Sequence, residues 1–286
     1  RALESGSYAR VTGKTQFHNA ALQIIASRVE PVDARQVDET EFFPLGQKDL
    51  DCLAVRLAET LRGISNHHLR ALGESFLLDE RFMQQLAMAP AGIKHHHAYR
   101  GGLLEHTLEL MELCQVVAPR YPDLDPDLLL MGAFLHDLGK TEELSYEREM
   151  CYSDEGQLVG HLVIGVRLLM EKIAAAERLS GEPFPPELVW QLEHLILSHH
   201  GSYEFGSPKL PMTLEAVALH YLDALDAKLH GFGQLIREDV NHDSPWTVYH
   251  ASIGRKLYKG ALAGRRKAGN ERRPKAGSPR RAGGVL

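Results

Sequence analysis

Apolar residues recur along most of this chain at spacings of three and four, and only near its start do they alternate with polar ones. Leu50, Leu53, Leu57 and Leu61 follow Asp49, which predicts an amphipathic helix with Asp49 as its N-cap. Asn66 opens a second helix through Leu69, Leu72 and Phe76, and a short third, near Arg81 to Met88, stops before Pro90. Leu103, Leu110 and Leu113 set a helix from Leu103 to Val117 against the core. Asp125 and Pro126 start another, which closes at Gly139 in a predicted left-handed terminal conformation. Gln157 to Leu179 reads as one long helix with His161 in its first turn. Pro183, Pro185 and Pro186 separate it from Glu187 to Ser198. Thr213 caps a last clear helix, with Ala216, Leu219, Leu222 and Leu225 inward, and Trp246, Tyr249, Ile253 and Leu257 continue at helical spacing. Tyr8 to Ile25 instead alternates on both sides of His18 and Asn19, a hairpin pattern. Val29 to Gln47, with Pro31 and Pro44, reads as a linker. The expected fold is mainly α, preceded by a β-hairpin that cannot bury a face alone and so belongs to a small barrel.

The composition of the 286 residues, 44% hydrophobic, permits a substantial core. No apolar run reaches the roughly 18 to 20 residues needed to cross a bilayer, and residues 1–6 have no secretory character. The start at Arg1 rather than Met suggests a trimmed chain. Cys52, Cys114 and Cys151 form no CxxC, which excludes a thiolate zinc site of that kind and makes a reducing cytoplasm the expected location. The net charge of −6 conceals a polarity: from Arg255 onward there are eleven basic residues and one acid, Glu271, so this tail carries +10 and the rest −16. Such a tail suits either a polyanion-binding arm or a solvated terminus with no partner, and its Gly/Pro/Arg-rich composition after Gly260 predicts disorder.

The candidate chemistry centres on His136 and Asp137, set at the end of the apolar run Leu128 to Ala133 and followed by Gly139 and Lys140. Burying an imidazole beside a carboxylate is costly unless something binds the pair. Asp137 can offer two oxygens to two cations. His106, His161, His199, His200 and Asp223 lie on or beside other helices and supply the remaining donors of a metal site. Lys140 places a positive charge where a phosphate oxygen could rest. The triplet His95 to His97 reads as a polar rim touching substrate more than as metal ligands. Asp226 shares a helix face with Asp223 and is expected to pair with Lys228 or Arg237.

The order His106, His136-Asp137, His161, His199-His200, Asp223 resembles the HD-domain metal-dependent phosphohydrolases. More narrowly, the chain looks like the bacterial YhaM-type 3′-to-5′ exoribonucleases, through Val11-Thr-Gly-Lys14, His96-His97-Ala98, Gly101 to Thr107, His136 to Lys140, Glu155 to His161, Ser198 to Gly201, and Glu215-Ala216 to Asp223. The resemblance implies an OB-fold remnant and linker over residues 1–46, lacking that barrel's first strands, an HD-domain bundle over 47–258, and a basic tail over 259–286. It further implies that His106, His136, Asp137 and Asp223 hold one divalent transition metal and that Asp137 bridges to a second on His161, His199 and His200. Manganese comes first, with Fe, Co, Ni or Zn as alternatives. Asp137 and Lys140 are the expected catalytic residues, and Lys140, His96, His97 and Arg100 the substrate contacts. The expected substrate is single-stranded RNA or DNA, with no membrane and no assignable oligomeric state. Two other readings are an HD phosphohydrolase acting on nucleotides or cyclic dinucleotides, and a non-catalytic RNA-binding HD protein. Gly102 stands where the cyclic-dinucleotide enzymes usually carry an acid, and no Gly-Tyr-Pro follows His199-His200.

Overall fold

The structure is a computed structural model that describes residues 7–18, 21–37, 45–93, 97–146, 150–241 and 243–260. The triplet members His95 and His96, and the tail beyond residue 260, lie outside these. The described residues form two units: one holds those up to Thr15 with Ile24–Leu229, the other those of Gln16–Gln23 and from His230 onward.

The alternating segment pairs β1 (Ala9–His18) with β2 (Ala21–Pro31) in a two-stranded sheet. The second strand therefore takes in residues 29–31, which the prolines had assigned to a linker. Val11 on β1 and Ile24, Ile25 and Val29 on β2 are all exposed.

The helical body begins with α1 (Gln47–Arg62), which starts two residues before the expected cap. Gly46 is the N-cap and Asp49, one turn in, reaches back to accept from the Gly46 amide at 3.0 Å. Asn66 caps α2 (His67–Leu77) by accepting from the amides of His68 and Leu69. Asp79 caps α3 (Glu80–Met88). Then come α4 (Gly102–Val117) and α5 (Pro126–Leu135), the second capped by Asp125. Every residue of α5 from Leu128 to Leu135 is buried, as expected of a helix that is apolar all round. It packs against α4 and α9 (Pro186–Ser198), while α2 lies along α8 (His161–Ser180) and α1 against α2 and α4. Phe76 sits at the centre, with its ring 5.1 Å from that of Phe134 and 4.9 Å from that of Phe82.

Three features differ from the sequence reading. Gly139 is not left-handed: with φ −60 it continues into a short α6 (Lys140–Glu143). It must be small because a Cβ there would lie 2.0 Å from the His161 carbonyl oxygen. The predicted long helix is broken into α7 (Asp154–Val159) and α8 by Gly160, whose φ of 79 and ψ of 155 no helix accommodates, so His161 becomes the first residue of α8. Between α6 and α7, Leu144–Ser145 and Cys151–Tyr152 form a small antiparallel pair, β3 and β4. The last helix, α10 (Leu214–Arg237), buries Ala216, Leu219, Leu222 and Asp226, whereas Leu225 is exposed.

In the second unit, Trp246, Tyr249, Ile253 and Leu257 do not share an α-helix despite their spacing. Bridges pair Trp246 with Tyr258 and His250 with Arg255, and only Ala251–Ile253 makes a 3-10 turn. The Lys259 ammonium ion-pairs with buried Asp239, a local contact that the periodicity of the apolar residues could not reveal.

Candidate metal centre

Five helices deliver side chains to one point. His106 comes from the first turns of α4, His136 and Asp137 from the end of α5, His161 from the first position of α8, His199 and His200 from the end of α9, and Asp223 from the middle of α10. Most of these donors sit at helix ends, where a side chain is held rigidly by the helix yet projects beyond its packed face.

The donors divide on the two oxygens of Asp137. On the Oδ2 side, His136 Nε2 is 3.3 Å away and His106 Nε2 4.0 Å. His106 Nε2 lies 3.3 Å from His136 Nε2 and 3.3 Å from Asp223 Oδ1. On the Oδ1 side, His161 Nε2 is 3.5 Å and His199 Nε2 3.6 Å away, and His200 Nε2 lies 3.2 Å from His161 Nε2. Asp137 is buried, and its Oδ1 has no hydrogen-bond partner among the described residues. A buried carboxylate oxygen without a donor is expensive, and a cation removes that cost.

The outer nitrogens explain why the inner ones are available. His136 donates from Nδ1 to the Ala133 carbonyl at 2.8 Å, His199 to that of Ile196 at 2.8 Å and His200 to that of Phe205 at 2.9 Å. A carbonyl oxygen only accepts, so Nδ1 carries the hydrogen and Nε2 of the neutral ring keeps its lone pair facing the centre. Carboxylates orient the other two rings: Asp226 stands 3.1 Å from His106 Nδ1, and Glu143 3.0 Å from both the His161 Nδ1 and its backbone amide. Asp226 and Glu143 were not among the expected site residues. Asp226 pairs with His106, and the Asp223-to-Asp226 spacing was its only signal. Glu143 had none.

Electrostatics follow from burial and these contacts. Burial opposes charge on Asp137, but the Lys140 ammonium at 2.6 Å and His136 outweigh it and hold the carboxyl well below its usual range. Burial likewise opposes charge on Lys140, and Asp137 reverses this and raises its pKa. His106 is pushed up to about 9 because Asp223 and Asp226 outweigh its burial. His199 falls to about 4, chiefly through burial, and His200 is lowered by burial and by His161. Glu143 is held low by His161 against the effect of burial.

The remaining expected contacts are more scattered. His97 is buried, not on an exposed rim: its φ is 54, its Nε2 lies 3.5 Å from Glu105 and 3.4 Å from Glu109, and its ring centroid is 5.7 Å from that of His106. Arg100 reaches Gln47 Oε1 at 3.4 Å, and His96 lies outside the described residues. Lys140 is at the centre, paired with Asp137.

The HD domain family model matches residues 103–228, the stretch that carries all seven inward donors. A 3′-5′ exoribonuclease YhaM of Bacillus pumilus (strain SAFR-032) is 35% identical over 225 residues, covering 77% of this chain and 68% of the relative. The protein of that name from Bacillus subtilis (strain 168) is 48% identical over 222 residues, with the same coverage, and that of Oceanobacillus iheyensis is 34% identical over 233 residues, covering 80% and 70%. No solved structure matches. An HD domain implies divalent-metal binding, and the His/Asp groups described above, close enough to share an ion, are the candidates for it. With a helical HD body and 34 to 48% identity over 77 to 80% of its length, the chain belongs to the YhaM family of HD-domain proteins.

Proposed function

We propose that this chain is a metal-dependent 3′-5′ exoribonuclease acting on single-stranded RNA, with His106, His136, Asp137 and Asp223 holding one divalent ion and Asp137, His161, His199 and His200 a second. The observation that carries the reading is the orientation of the five imidazoles: each Nδ1 is tied outward to a carbonyl or carboxylate, and each Nε2 faces the two sides of Asp137. The inward donor separations run from 3.2 to 4.0 Å, close enough for several of these atoms to reach one ion. The nitrogen-rich set favours manganese or another transition ion over magnesium.

Two bound ions would supply Lewis acidity, making water a stronger nucleophile and neutralising charge on the phosphate ester. The chain does the positioning. Asp137 offers one oxygen to each half of the site, and its depressed pKa keeps both oxygens ionised. Lys140 holds a fixed positive charge beside it for the equatorial oxygens of the in-line displacement. Glu143 and Asp226 keep His161 and His106 in the ligating orientation. The exposed apolar side chains of the hairpin support its assignment to an OB-type nucleic-acid barrel. The name carried by the relatives supports RNA as the substrate, and the basic tail suits it as an electrostatic arm.

The test is degradation of a 5′-labelled single-stranded oligoribonucleotide with added Mn²⁺, run beside metal analysis of protein purified without chelator. Progressive shortening from the 3′ end, lost together with bound metal in Asp137→Ala, is the expected result. Full metal content in Asp137→Ala would remove the ligand assignment, and intact RNA with the wild type would remove the activity.

A further inference from the structure

Next in sequence to two of the candidate metal ligands, His161 and His200, stand exposed apolar side chains that the chemistry above does not use. At the end of α7, Leu158 is 86% exposed, and Val159 lies two residues before His161. Beyond the paired imidazoles of His161 and His200, the chain leaves α9 and turns through Tyr203–Phe205, whose two aromatic residues are 63% and 72% exposed. Isolated apolar residues on a surface are ordinary. These instead flank, in sequence, the two imidazoles that meet at 3.2 Å.

The aromatic turn is fixed, not loose. The Phe205 and Ser207 amides both donate to the Ser202 carbonyl at 3.2 Å, and the Gly206 amide donates to that of Tyr203 at 3.0 Å. The buried Ser207 hydroxyl lies within hydrogen-bond distance of the Leu197 and Lys209 carbonyls. The Phe205 carbonyl accepts from His200 Nδ1, so the residue that orients a candidate ligand also bears the exposed ring. A ring on a backbone already ordered loses little further entropy when something packs on it, and Phe has no polar group that favours water.

We propose, building on the exoribonuclease reading, that Tyr203 and Phe205 form a stacking platform for nucleobases at the 3′ end of single-stranded RNA, and that Leu158 and Val159 extend the apolar rim on the α7 side. A phosphodiester held at the metal centre brings its adjacent bases towards the segment that follows His200, whose Phe205 carbonyl touches that ring. Flat apolar faces there bind any of the four bases, because each has a π surface, and so give affinity without sequence choice. That suits an enzyme that must accept whichever nucleotide comes next.

A double-mutant cycle tests this with full-length protein, metal-loaded. Its variants are Tyr203→Ala/Phe205→Ala and Phe205→Trp; its substrates are an oligoribonucleotide and the same oligomer with abasic 3′-terminal residues. Stacking predicts that the double alanine variant raises KM for the normal oligomer roughly 5- to 150-fold for each base lost from the platform. Removing the bases should raise wild-type KM similarly and add little further loss in the variant, while Phe205→Trp keeps KM near wild type. A wild-type KM that ignores base removal, or losses from variant and abasic substrate that multiply independently, overturns the platform while leaving the nuclease reading in place. A wild type that hydrolyses a small phosphodiester but neither binds nor shortens RNA overturns both.

Discussion

Gly139 links the packing of the body to the geometry of the centre, and a single methyl group tests that link. Its φ of −60 is that of an ordinary helical residue, so Gly139→Ala introduces no backbone strain. The added Cβ would, however, lie 2.0 Å from the His161 carbonyl oxygen and 2.8 Å from the Gly165 amide nitrogen. Restoring an ordinary contact of about 3.4 Å requires the start of α8 to retreat by more than about 1 Å, and metal sites tolerate only about 0.2 Å in their ligand distances. Overpacking of this kind costs about 1 to 3 kcal/mol, which for a body of this size lowers Tm by roughly 2 to 12 °C. Metal affinity should fall at least about tenfold, as in sites whose supporting contacts are lost. Differential scanning fluorimetry with and without chelator, together with metal titration against a competing chelator, reads both effects. Gly139→Asn should be no better than Ala, because the backbone is not left-handed. Wild-type melting and metal affinity in Gly139→Ala, or clear tolerance of Asn over Ala, would refute the close approach of α6 and α8.

Other perturbations separate the parts of the molecule. Glu143→Ala frees the ring and amide of His161 and should weaken metal binding about 10- to 100-fold, whereas Glu143→Gln, which keeps an acceptor, should recover most of it; equal losses in competition titrations would show that orientation is not its role. In chelated protein, His106 with its pKa raised from 6.5 to about 9 contributes stability that is complete below about pH 6.5 and lost as pH rises through 9. Metal binding must expel that proton and so strengthens over the same window, and melting curves of chelated and metal-loaded protein should therefore slope in opposite directions; parallel slopes would count against it. Asp79 caps α3 and pairs at 2.7 Å with the buried Lys172 ammonium, which also lies over the rings of Phe76 and Phe82. Asp79→Ala should cost about 1 to 3 kcal/mol in urea unfolding, the cap contributing about 0.5 to 2 and the pair up to about 1 because Asp79 is 41% exposed and solvent screens it. Lys172 lowers the Asp79 pKa, so this stability is present above about pH 4 and lost below it, and the variant should flatten that acid limb.

Much of the body was legible from local rules. The three-and-four spacing of leucines, the caps Asn66 and Asp125 and the prolines before α9 fixed the helices, because each is a short-range relation between neighbouring residues. The same rules misread Gly139, which is small because of a neighbour from a distant helix, and the residues from Trp246 to Leu257, whose spacing is helical but whose backbone pairs across a loop. They also placed His97 at the surface, although it is buried against Glu105 and Glu109. The order of histidines and aspartates determined which side chains were worth bringing together. Only the packing of α4, α5, α8, α9 and α10 decided that their nitrogens converge on opposite oxygens of Asp137, and that Glu143 and Asp226 stand behind them. Sequence spacing carries the periodicity of one helix, while the distance between two helices depends on every side chain packed between them.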